Sequence, residues 1–144
     1  MAPRYVNVVL ILEMAMGVVL LIGATLARLR HFREHAECQS AVVVLNFFVV
    51  VFAMAPSFHA HVLPKIPIKL GRAYYALATA HVAFGTIAEI AGLYILLVAG
   101  TTVLPERYRI TRYKVWMRTV LGLWWVTLLL GLATYVRWYV PHFF

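Results

Sequence analysis

Four apolar runs, each long enough to cross about 30 Å of hydrocarbon with its roughly 20 residues, take up most of the 144 positions. No motif in the chain constrains its fold as much. The runs cover residues 6–29, 40–62, 72–99 and 113–140. Only 12% of the residues are charged and 64% are apolar, against about 25% charged in a soluble domain, so water is not the main solvent. The reading is all-α: a single membrane domain over residues 1–144, folded as an integral membrane four-helix up-down-up-down bundle, because short links make consecutive helices neighbours. That leaves no room for a separate soluble catalytic domain. The first run is longer than the 7–15 residue core of a signal peptide and is expected to be retained.

The links carry the charge. A polar stretch from Arg30 to Glu37 follows the first run, and Leu63 to Lys69 follows the second. The latter has two prolines and two lysines, which suits an interfacial loop and not a helix. Pro56 lies inside the second run and removes a backbone hydrogen bond, predicting a bend near Met54 to Ser57. A basic link over 105–112 precedes the last run. Eight Lys and Arg side chains belong to the face holding the first and third links, and five to the other. The excess is expected on the cytoplasmic side, with both termini outside, and the inner membrane of a bacterium is the expected location. Clusters of this kind suit anionic lipid headgroups, so the net charge of +8 does not point to nucleic acid. Cys38 has no second cysteine to pair with and is expected to pack at a helix entrance. Small residues, Ala76 with Ala80 and Ala88 with Gly92, would let the third helix approach its neighbours closely.

Two glutamates, Glu13 and Glu89, lie well inside apolar runs. An ionised group there costs about 2.5–3.5 kcal/mol or more, so each is expected either to lock helix register as a protonated or paired group, or to handle protons. At about 1.5 Å per residue, Glu13 falls about 11 Å and His81 about 14 Å from the less basic face, so the two can meet. Glu89 lies about 12 Å beyond His81 on the same helix and about 80° round from it, and needs a different partner.

Neutral imidazole is a common haem and metal ligand. His35 flanks the first link, His59 and His61 end the second run, His81 lies within the third, and His142 is in the tail. His59 and His61 point about 200° apart on a helix, so at most one faces inward. Two haem ligands must face each other at one depth, whereas His59 and His81 differ by roughly two helical turns. Trp124 and Trp125 fall near the centre of the fourth run, away from the interfacial belts that suit Trp116, Trp138 and Tyr139. They are expected to pack within the bundle or against a partner or cofactor.

The order of polar link, His35, a second helix ending in His59 and His61, Tyr74-Tyr75 before His81, and a basic link into an aromatic fourth helix resembles the YozB-like (CtaM-type) family of small membrane proteins, over roughly residues 17–140. The resemblance implies a connection with the assembly or function of haem-copper oxidases, with His35, His59 or His61, and His81 as the matching metal or haem candidates. Where the family pattern has a histidine before the last helix, this chain has Tyr108.

The functional expectation is a small membrane subunit of a respiratory or photosynthetic electron-transfer system, binding a b-type haem or adjoining a quinone, with other subunits of that system as partners. Its rivals are a cofactor-free accessory subunit or assembly factor of a haem-copper-oxidase-like complex and, more remotely, a four-helix transporter. The chain has no aspartate, glycine-rich phosphate loop or HExxH, so an independent soluble-type enzyme is not expected.

Overall fold

The computed structural model describes residues 2–102, 105, 107 and 109–140. Tyr108 and His142 lie outside them. Six α-helical segments make four long helices: α1 (Arg4–Arg28), then α2 (Phe32–Val49) running on through α3 (Ala55–His61) and α4 (Ile66–Lys69), then α5 (Ala73–Gly100) and α6 (Tyr113–Tyr139). All four are long and apolar enough to cross a membrane. α1, α5 and α6 begin and end within two residues of the expected runs, because apolar content and helix extent coincide there.

The second helix differs from its expectation at both ends. It starts at Phe32 and not at residue 40. Charge does not stop a helix: Glu34 sits in the first turn, where it favours the positive end of the backbone dipole, and the Arg33 Nε–H donates to Glu37 Oε1 one turn on at 3.1 Å. The link shrinks to Leu29–His31, closed by Arg30 N–H donating to Ala27 O and His31 N–H donating to Leu26 O. That bonding requires a left-handed residue, and Arg30 takes it at φ 65° where glycine is usual. At the other end, the expected interfacial loop is helical: a 3-10 turn Leu63–Lys65 leads into α4. Pro64 and Pro67 each sit in the first turn of these segments, where a missing N–H breaks no bond.

Between α2 and α3 the helix widens into a π-helical turn, Val50–Met54, and the Ala55 N–H reaches back to Val50 O. Pro56 follows at once. It has no N–H for the carbonyl four residues back and its ring crowds that carbonyl, so the preceding turn opens.

The most extensive interfaces are α1 with α2 and α5 with α6, followed by α1 with α6 and α2 with α5. One core cluster draws on all four long helices: Met16, Leu20, Val42, Val43, Ala88, Val120 and Trp124. Ala88 and Gly92 bring α5 close to α2, since a Cβ on Gly92 would stand 3.2 Å from Val43 Cγ2. Ala76, expected to pack, is exposed, and Ala78 is buried in its place. A second cluster, Val62, Tyr75 and Ala78 with Phe58 and Trp138 around it, lies where α3 meets α5 and α6. At most 28% of each apolar stretch is buried within the chain. Ile11, Phe52, Ile90 and Leu129 are each 60% or more exposed, the reverse of a water-facing surface.

Candidate functional site

The buried ionisable side chains fall in two places. The first is a recess of ≈150 Å³ lined by residues of α1, the π turn and α3, α5 and α6, including Glu13, Met54, Ser57, His81, Thr134, Tyr135 and Trp138. Glu13 is 9% exposed, and its Oε1 has no hydrogen-bond partner. The expected meeting of Glu13 and His81 thus takes the form of a shared cavity. Met54 and Ser57 reach the recess on either side of Pro56, so the widened turn shapes one of its walls.

His81 is held by α6. Its Nδ1 lies 2.9 Å from Thr127 O, and a carbonyl only accepts, so Nδ1 carries the proton and the other ring nitrogen keeps a lone pair. Gly131 makes this possible, since a Cβ there would stand 2.9 Å from His81 Cε1. Around the mouth, the Tyr135 hydroxyl donates to Asn7 Oδ1 at 2.7 Å. Trp138 stacks on Tyr74 with ring centroids 4.5 Å apart.

The second place lies among core residues. The Asn46 amide on α2 donates to Glu89 Oε2 on α5 at 2.7 Å. Both residues are under 9% exposed, and Glu89 Oε1 has no partner. Asn46 is the different partner that Glu89 requires, and nothing in the sequence argument singled it out. An asparagine inside an apolar run, facing another buried polar residue, is a signal that could have found it.

Trp124 is 5% exposed within the chain's own core, which is packing within the bundle, one of the expectations for it. Trp125 is half-buried, packs near Gly17, and has a buried indole N–H without a partner.

The other candidate ligands, His35, His59 and His61, do not converge on His81. His35 Nδ1 donates to Gly23 O at 2.8 Å, and the Gln39 amide donates to Leu20 O at 3.3 Å. Together with Cys38, packed beside Gly23, they clamp α2 onto α1. His59 and His61 are exposed, with His61 Nδ1 donating to its own helix at Ser57 O, 3.0 Å away. A b-type haem between two of these histidines does not fit. Among the described histidines only His81 lines the recess, whose volume is below the roughly 300–1,000 Å³ of sites for ligands of that size. Among the described residues, no three His, Cys, Asp or Glu side chains come together as metal ligands.

The site is therefore a small cavity with one unpartnered carboxyl, one oriented imidazole and a rim of aromatic rings, set apart from a carboxyl–amide pair in the core. No family model, curated protein or solved structure matches this chain.

Proposed function

We propose that the chain is an integral membrane subunit of a respiratory or photosynthetic electron-transfer system, an up-down-up-down bundle in a bacterial inner membrane with both termini outside, in which Glu13 and His81 take up and release a proton at the recess. The observation that carries this is the Glu13 carboxyl: nine-tenths buried, with one oxygen unpartnered, in the same cavity as an imidazole whose free lone pair can accept a proton. Buried ionisable groups in a membrane helix that line a cavity mark proton and ion routes by default. The link to electron transfer rests on the resemblance to the YozB-like family, and any redox chemistry would belong to a partner's haem or quinone.

Infrared difference spectra between high and low pH test the proton step. In liposomes, the wild-type carboxylic C=O band should grow on acidification and lose a component in Glu13→Gln. Identical difference spectra would remove Glu13 from the proposal. Gentle detergent purification, with an absorbance spectrum and mass spectrometry of whatever accompanies the protein, tests the wider assignment. Redox subunits in stable association would support it, and a homogeneous chain with no partner would count against it.

A second reading, a cofactor-free accessory subunit or assembly factor of an oxidase-like complex, is favoured by the histidines, since His35, His59 and His61 are turned away from His81. It predicts that His81→Ala leaves copurification with the complex intact.

A further inference from the structure

Four of the hydrogen-bond donors around the recess are already engaged inside the chain. The Tyr135 O–H donates to Asn7 Oδ1, the Thr134 O–H to Leu130 O, His81 Nδ1–H to Thr127 O, and Trp138 Nε1–H to Tyr74 O. What these groups have left to offer is lone pairs and ring faces. The Ser57 and Tyr139 hydroxyls can rotate to do the same. Glu13 adds a carboxyl with a free oxygen, and no Lys or Arg lines the space. The polar part of an otherwise aliphatic lining is thus electron-rich. Such a site repels anions, offers little to a neutral donor–acceptor molecule, and attracts a cation through the carboxylate, with the Tyr135, Tyr139 and Trp138 rings in the lining to add cation–π attraction, one Trp138 face being taken by Tyr74.

Size narrows the class further. At ≈150 Å³ the recess is small, and a compact amine suits it better than a bulky polycyclic cation. The other lining residues, among them Val6, Val9, Leu10 and Leu132, match alkyl substituents better than a hydrated metal ion, which would need several oxygen ligands where one carboxyl is offered.

We propose that this recess is a binding site for a small organic cation, a methylated ammonium or short alkylamine, whose charge is balanced by ionised Glu13. The cation and the proton then compete for the same carboxyl. The proposal rests on the reading of Glu13 as the titrating group of the recess. The two fail separately, because a carboxyl can exchange protons in a cavity that binds no amine.

The test uses the full chain in nanodiscs of zwitterionic and anionic lipid, titrated with tetramethylammonium and with propylammonium. Binding is followed by tryptophan fluorescence and calorimetry, with acetate and 1-propanol as the anionic and neutral comparisons. Both cations should bind saturably and the comparisons should not. Glu13→Gln should weaken both cations by about tenfold or more, the loss of a close charge partner. Trp138→Leu, which leaves the carboxyl in place, should weaken tetramethylammonium about two- to tenfold and propylammonium less, as removal of a ring face requires. It also keeps the proposal testable should Glu13→Gln fail to fold. Glu37→Gln, at the exposed Arg33 pair, should bind as wild type. Equal response to 1-propanol, no saturable binding of either cation, or undiminished affinity in Glu13→Gln would overturn the proposal. So would equal losses for the two cations in Trp138→Leu.

Discussion

The chain treats its two buried glutamates differently. Glu89 is tied to Asn46 on the facing helix and flanked along the two helices by Val42, Val43 and Ala88 of the main core cluster. Each keeps one buried oxygen without a partner, but Glu13 borders a cavity. A carboxyl that joins two helices contributes to holding them together, whereas one that faces a cavity can exchange a proton or meet a ligand. The contrast separates a structural polar pair from a chemical site in two residues of the same type.

The largest test of that contrast falls on the pair. Asn46→Leu should destabilise the fold by about 1–3 kcal/mol, because it leaves Glu89 buried with both oxygens unpaired. Adding Glu89→Leu should recover most of that loss, since replacing both members by apolar groups of similar shape is close to neutral. Reversible unfolding in mixed micelles, read by tryptophan fluorescence, measures both. If the double variant is no more stable than Asn46→Leu alone, the pair does more than satisfy itself.

A somewhat smaller effect is expected on the recess side at Gly131. An added Cβ would stand 2.9 Å from His81 Cε1 and 3.1 Å from Nδ1, so Gly131→Ala must move the ring and loosen its bond to Thr127 O. The cost should be about 1–2 kcal/mol, together with a changed nitrogen-15 shift at His81 Nδ1. Gly122 provides the calibration. Nothing lies within 4 Å of a Cβ there, so Gly122→Ala should stabilise by about 0.5–1 kcal/mol through helix propensity alone. A loss at Gly122 comparable to that at Gly131 would mean that neither glycine reports on His81.

Much of this was legible in the sequence, and the failures have physical causes. Length and apolarity located all four helices, since a membrane-length apolar run has few alternatives. Counting residues along α1 and α5 brought Glu13 and His81 to one level and assigned Glu89 elsewhere. What the count could not give was azimuth through an irregular turn. The π turn at Val50–Met54 changes the rotation of everything after it, including Met54 and Ser57 in the recess and the exposed His59 and His61. Hydropathy also misplaced the start of α2, because Arg33, Glu34 and Glu37 are charged yet good helix formers. Trp124 and Trp125 show the same limit: depth was readable, but which of them the core would enclose depended on Gly17 and Gly92 opposite.

The smallest expected effect is the most direct comparison of the two glutamates. Glu13→Leu removes a carboxyl with an unpartnered oxygen and puts an aliphatic side chain beside Val9, Leu10 and Leu132, so stability should change by less than about 0.5 kcal/mol. The same substitution should abolish the response to small ammonium ions, separating a site that carries chemistry from one that carries the fold. A cost as large as that of Asn46→Leu would mean that Glu13 holds helices together as Glu89 does. The recess would then be a gap beside a structural residue, and the difference between the two glutamates would reduce to how deeply each is covered.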